Sequence, residues 1–288
     1  MLVTDVKRHS TKLKKEVTGY YMDGLLRENL DGVQGHLKKK WDAVGIVSGH
    51  GLVGVGKSTL AMQVAYYLAW KQAGGSMTVR KEKHGWVIEK ITPPIQPVKF
   101  SLEENVVFSA EDLQETAGKL YKKYGPGQVI VYDEGRQGLD SSRAMESVNK
   151  GMEDFFQENR VYNQIIIIVL PNFFKLHEDY AVSRSLFLID VFHDKKLNRG
   201  YFNFYNRTQK EWLYFLGKKK IGITMKYSAG RESFWGRFYR WLPFDKDLYE
   251  KAKTEAIEKK RLSRGDRRIR MQRDILFWIL LKEHQASV

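Results

Sequence analysis

Gly51-Leu52-Val53-Gly54-Val55-Gly56-Lys57-Ser58, followed by Thr59, is the stretch of this 288-residue chain whose residue types and spacing could do the most specific chemistry. Glycines at these intervals let a backbone wrap closely round a phosphate, with the amides from Val53 to Thr59 turned inward. A helix beginning near Lys57 would add its positive N-terminal end. Lys57 can then reach terminal phosphates, and the Ser58 hydroxyl can ligate magnesium. Gly51, Gly54, Val55, Gly56, Lys57, Ser58 and Thr59 are therefore the candidate phosphate-binding residues. A second set, Val129-Ile130-Val131-Tyr132-Asp133-Glu134, is an apolar run ending in two acids, 76 residues from Lys57 to Asp133. If that run is a strand ending beside the glycine loop, Asp133 can hold magnesium through water. Glu134 can then polarise an attacking water. A strand that merely ends in a solvated acidic turn is the plain alternative, and the glycine loop upstream favours the catalytic reading.

Elements of suitable type surround both sets. Ala43-Val44-Gly45-Ile46-Val47 reads as a short apolar strand entering the glycine loop, and Ser58–Gln72 as a long, mostly buried helix leaving it. Residues 128–132 and 165–170 are apolar at successive positions, as in central strands of a parallel sheet covered on both faces. Helix-like segments, 110–124 and 143–160, precede these strands, and the alternation argues for an α/β core. Upstream, Leu26, Leu30, Val33 and Leu37 predict an amphipathic helix. Thr92-Pro93-Pro94-Ile95-Gln96-Pro97 reads as a stiff extended linker. Beyond Phe187–Val191, the aromatic runs 201–205 and 211–215 predict two strands of a small antiparallel meander, joined by a polar turn at 206–210. Two charged helices, 245–262 and 266–283, are expected next, broken at Ser263-Arg264-Gly265. The divisions that follow are an N-terminal helical extension (1–40), a core (41–195), an antiparallel aromatic-rich extension (196–244) and a basic helical arm (245–288).

Composition narrows the partners. Hydrophobic residues are 42% and charged residues 29%, which excludes wholesale disorder. There is no cysteine, which excludes disulfides, thiol catalysis and cysteine-ligated metal. The start resembles no signal peptide, and no apolar run approaches the roughly 20 residues needed to span a bilayer. A soluble, cytoplasmic protein is expected. Net charge is +15, and residues 218–288, with 19 Lys+Arg against 9 Asp+Glu, hold +10 of it. That imbalance favours a polyanion: nucleic acid first, DNA ahead of RNA, and an anionic membrane second.

Phe234-Trp235-Gly236-Arg237-Phe238-Tyr239-Arg240-Trp241 interleaves rings with Arg237 and Arg240, a pattern suited to single-strand contact, although rings of this kind also build cores. Lys259, Lys260, Arg261, Arg264, Arg267, Arg268 and Arg270 crowd positive charge against one acid, Asp266, and suit phosphate-backbone binding. A solvated basic tail is the alternative.

The loop and the acidic pair match the Walker A and Walker B patterns. They resemble those of the P-loop ATPases with an added strand and a catalytic glutamate, the class holding RecA-like motors and AAA+ proteins. The succession Asp133-Glu134, Glu153–Arg160, Gln164–Leu170 and Pro171-Asn172 is similar to the branch of HerA, FtsK and Zot-type ATPases. Motors of that branch carry glutamine where this chain has Asn172, as AAA+ proteins do. The resemblance implies a RecA-like P-loop NTPase core, ATP and magnesium as cofactors, Asn172 as γ-phosphate sensor and a ring of identical subunits. It also implies an arginine acting between subunits, for which Arg160 is favoured over Arg184; Arg136 and Arg143 could act within one subunit. The expected function is a magnesium-dependent ATPase working on nucleic acid as a translocase, packaging motor or replication and mobile-element accessory. A P-loop nucleoside or nucleotide kinase, with 193–218 as its lid, is one alternative. A nucleotide-dependent scaffold on DNA or membrane is another.

Overall fold

The computed structural model describes residues 21–49, 54–82, 85–133, 162–219 and 227–285; for some of these, including 260–271 and 279–285, it is the backbone that is described. The chain divides into two compact units after Asp245.

The first unit is organised by one seven-stranded sheet. Its strands are β1 (Ala43–Gly49), β4 (Val106–Val107), β5 (Val129–Asp133), β6 (Ile165–Val169), β7 (Ser185–Phe192), β8 (Tyr201–Tyr205) and β9 (Phe234–Arg237). They lie in the order β4-β5-β6-β1-β7-β8-β9. The first five in this order are parallel, and β8 and β9 continue the sheet antiparallel. Every residue of β1, β5 and β6 is buried, as unbroken apolar runs require. The helix α2 (Lys57–Gln72) packs on β5, β1 and β6, and its length from Leu60 to Trp70 is buried apart from Tyr66. The helix α1 (Gly24–Lys38) starts where the Asp23 carboxylate accepts from the Leu25 and Leu26 amides, and it buries the Leu26, Leu30, Val33, Leu37 stripe. A hairpin, β2 (Ser76–Glu82) with β3 (Gly85–Thr92), forms a separate two-stranded sheet that apolar periodicity does not reveal. The short helix α3 (Leu102–Asn105) leads into β4. Next, α4 (Ala110–Tyr124) is capped by Ser109 and buries Leu113, Ala117 and Leu120. The helix expected over 143–160 lies outside the described residues.

The structure corrects two expectations. Residues 211–215 are not a strand; they belong to the helix α5 (Arg207–Lys219). The Asn206 side chain accepts from the Gln209 amide and starts the helix, and Lys210, Leu213, Tyr214 and Gly217 form its buried stripe. The rings that suggested a strand, Trp212 and Phe215, are on the exposed side. The antiparallel third strand is instead β9. The second correction concerns the other unit, where α6 (Lys246–Gln285) runs unbroken through Ser263-Arg264-Gly265. A single interior glycine costs only about 1 kcal/mol, and no proline interrupts this stretch.

The buried stripe of α5 includes a charged group. The Lys210 Nζ lies within hydrogen-bond distance of four oxygens, the carbonyls of Ala181 (2.7 Å), Val182 (2.8 Å) and Ser185 (2.7 Å) and the Ser185 hydroxyl (2.6 Å), which share its three N–H donors. It thereby closes the C-terminal end of a π-helical turn, Asp179–Arg184, where unpaired carbonyls collect. Burial pushes its pKa down to about 7.

Candidate nucleotide site

The end of β1 and the start of α2 hold the glycine loop. A Cβ built on Gly49 would lie 3.2 Å from Lys57 Cδ, so the Lys57 side chain folds back over the end of β1. Gly54 (φ +72°) and Gly56 (φ +104°) both take left-handed backbone, which the loop needs to turn tightly into the helix. Gly56 is the N-cap of α2, and its carbonyl accepts from the Leu60 amide at 3.0 Å. Behind Gly56 stands the ring of buried Phe238, with Cζ 2.8 Å from where a Cβ would be. Val55 is buried, whereas Lys57, Ser58 and Thr59 are half-buried at the head of the helix. Gly51 lies outside the described residues.

Register brings the acid to the loop. Asp133 pairs with Val169 of β6, and Val169 pairs with Val47 of β1. Asp133 is therefore level with Val47, two strand spacings or about 10 Å across the sheet. It is 1% exposed. The strand between them, β6, ends three residues before Asn172. The Asn172 side-chain oxygen accepts from the Phe174 amide at 2.9 Å, so its amide NH2 is the group turned to other work. Among the described residues no cluster of three or more His, Asp or Glu could hold a metal ion by itself. Ser58 and Asp133 are hard oxygen donors of the kind magnesium takes in ones and twos beside phosphates, so the residues present fit that ion.

Glu134, Arg136, Arg143 and Arg160 lie outside the described residues. Arg184 is exposed and lines a cleft with Trp41, Asp42 and Val44, at the end of the sheet where β1 and β7 begin. The loop is at the other end, so Arg184 does not share a site with Lys57 within one chain. In the aromatic stretch the core-building alternative holds in part. Phe234 stacks on Phe204 at 4.8 Å and Phe238 is buried, while Trp235 (50% exposed) and Tyr239 (53%) face outward. Arg237 lies over the Tyr201 ring and donates to its hydroxyl at 2.7 Å, and Arg240 is exposed. In α6 the Lys259 side chain is exposed, whereas the side chains of Lys260, Arg261, Arg264, Arg267, Arg268 and Arg270 lie outside the described residues.

A polar cluster beside the loop escapes sequence reasoning. Ser48, the penultimate residue of β1, shares a hydrogen bond of 2.8 Å with the hydroxyl of buried Tyr227. The same hydroxyl accepts from the Phe173 amide at 3.0 Å, which ties the segment after β6 to the strand that feeds the loop. Burial, with the Asp190 carboxylate nearby, raises the Tyr227 pKa well above the usual phenol range, so the phenol stays neutral. The signal available in sequence is Asp190, an acid inside the apolar strand β7. Above this cluster opens a cleft of ≈ 490 Å³ lined by Val55, Phe192, His193, Asn203, Tyr205 and Glu232 among others.

The parallel core, with β6 inserted between the loop strand β1 and the acidic strand β5, fits a P-loop fold of RecA-like kind. No family model and no curated protein matches the chain. Among solved structures it is similar to the crystal structure of the N-terminal domain of zonular occludens toxin from Neisseria meningitidis, at 11% identity and TM-score 0.35, covering 73% of this chain and 98% of that one.

Proposed function

We propose that this protein is a magnesium-dependent ATPase of the added-strand P-loop class, of the HerA, FtsK and Zot-type branch, working on nucleic acid as a ring of identical subunits in the cytoplasm. The observation that supports this best is the position of β6, which sets Asp133 two strands from the loop rather than one. That spacing leaves room for a water-bridged ion and an attacking water beyond the terminal phosphate. Lys57 and the inward amides bind the β- and γ-phosphates, and Ser58 and Asp133 hold magnesium. Magnesium held by these residues would supply neutralisation of phosphate charge. Glu134 orients the water and accepts its proton, while the Asn172 amide donates to a γ-oxygen. An arginine of the adjoining subunit, Arg160 before Arg184, meets the charge that develops as the bond breaks.

The outward Trp235, Tyr239, Arg237 and Arg240 and the basic stretch Lys259–Arg270 supply the nucleic-acid contacts, DNA before RNA. A translocase, packaging motor or accessory of a virus or mobile element follows from that pairing. The kinase alternative needs a lid in 193–218, where much of the chain instead forms β8 and α5.

Steady-state ATP hydrolysis with magnesium, alone and with single- or double-stranded DNA at two salt concentrations, tests the proposal. DNA should stimulate turnover, and added salt should weaken the stimulation. Glu134→Gln should bind ATP normally but hydrolyse it more than about 100-fold more slowly. Turnover indifferent to DNA would overturn the nucleic-acid assignment, and normal turnover by Glu134→Gln would overturn the base.

A further inference from the structure

The turn between β7 and β8 emerges at the end of the sheet where β1 passes into the glycine loop, because β7 is the parallel neighbour of β1. It carries Lys195, Lys196 and Arg199, all exposed. A Cβ built on Gly54 would have as its three nearest atoms the two terminal nitrogens (3.7 Å each) and the central carbon (3.8 Å) of the Arg199 guanidinium. The arginine head thus lies in van der Waals reach of the middle of the phosphate loop.

The turn holds it there. Asp194 Oδ1 accepts from the amides of Lys196 and Asn198, and Oδ2 from the Asn198 side chain, each at 2.8 Å. Backbone bonds of 3.0 Å from Asp194 to Asn198 and from Leu197 to Asp194 close the same turn. The next residue, Gly200, accepts from the Phe238 amide at 2.9 Å, and a Cβ on it would stand 2.5 Å from the Phe238 carbonyl oxygen. Phe238 is the residue whose ring backs Gly56. Arg199 is therefore one residue from a clamp that grips the third glycine of the loop, Gly56. A guanidinium keeps its charge at every physiological pH and presents paired donors that match phosphate oxygens, whereas an exposed surface lysine offers only a mobile point charge.

We infer that Arg199 binds the phosphates of the nucleotide held by its own chain's loop, a contact within one subunit and separate from any arginine supplied by a neighbour. This rests on the reading of the glycine loop as a nucleotide site. The antiparallel half of the sheet then senses directly whether nucleotide is present, since Arg199 and Gly200 lead into β8 and Phe238 follows β9.

Equilibrium titration of a fluorescent ATP analogue with magnesium, on the full chain, tests the inference. The set is wild type, Arg199→Ala, Arg199→Gln, Arg199→Lys, the double variant Lys195→Ala/Lys196→Ala, and Lys57→Ala. Losing a charge-assisted phosphate contact should raise Kd roughly tenfold in both Arg199→Ala and Arg199→Gln. Arg199→Lys should recover part of that loss, and the double lysine variant should stay within about threefold of wild type, as expected for screened surface charges. The melting temperature of the Arg199 variants should match wild type, because the side chain is exposed. Wild-type affinity in Arg199→Ala and Arg199→Gln would overturn the inference, as would an equal loss in the lysine variant, which would mark the effect as bulk charge. The loop reading fails differently: wild type would bind no nucleotide, or Lys57→Ala would bind it unchanged.

Discussion

In β5, β6 and β1 every residue is buried and every neighbouring strand is parallel, whereas β8 and β9 run antiparallel and alternate between core and surface. The first group is filled mostly by aliphatic side chains, and its polar residues, Ser48 and Asp133, fall at the ends of β1 and β5. The second group touches the glycine loop through side chains: Phe238 behind Gly56, Arg199 against Gly54, and Tyr227, just before β9, on Ser48. Two halves of one sheet thus serve one site by different means. A parallel strand buried on both faces can spare no side chain for a ligand, so it acts through its end. An antiparallel edge with one wet face can place single residues precisely where a turn delivers them.

The largest test of this division is Gly56→Val. Its left-handed backbone and the Phe238 ring both oppose a side chain, so nucleotide affinity should fall by more than about 100-fold, since a shifted loop loses several phosphate contacts together. Near wild-type binding in a titration would show that the antiparallel half does not brace the loop.

Lys210→Met probes the packing of α5 against β7 and should lower unfolding free energy by about 3 kcal/mol, because several buried oxygens lose their donor. Denaturant unfolding measures this. The pH dependence gives a second readout. Burial lowers the Lys210 pKa from 10.5 to about 7, so between those values the unfolded chain binds more protons than the folded one. The lysine's contribution to stability should therefore rise with pH across that window and fall away as pH drops through about 7. The methionine variant should lack this slope; an unchanged slope would assign it to other groups.

Tyr227→Phe removes the hydroxyl shared by Ser48 and the Phe173 amide, and about 1–2 kcal/mol should be lost by the same measurement. A neutral result would mean that water replaces the hydroxyl. Trp235→Ala is the smallest in stability. On the half-exposed edge strand it should cost less than about 1 kcal/mol while weakening single-stranded DNA binding, and unchanged binding would remove Trp235 from that surface.

The places of Gly54, Gly56, Lys57, Ser58 and Asp133 at a strand–loop–helix junction and a strand end were legible, because the flanking apolar runs left little choice of element. The stretch 211–215, expected as a strand, shows the limit of such reading. Ring content there points to a strand, while Asn206 before Gln209 and the spacing of Lys210, Leu213, Tyr214 and Gly217 point to a helix. The structure follows the spacing, because a buried stripe against β7 outweighs the weak strand preference of exposed rings. The unbroken α6 has a similar cause: a lone glycine is too small a penalty to stop a helix.

The amino-acid sequence by itself determined the glycine loop between a strand and a helix, the acid that ends β5 and the buried strands that carry both, since each is written in neighbouring residues. Only the tertiary structure decided that β6 separates those two strands, that Phe238 stands behind Gly56, and that Arg199 reaches Gly54. These partners are 145 to 182 positions apart for the two glycine contacts. Their meeting depends on strand order and on one tight turn, which no local spacing of residue types encodes.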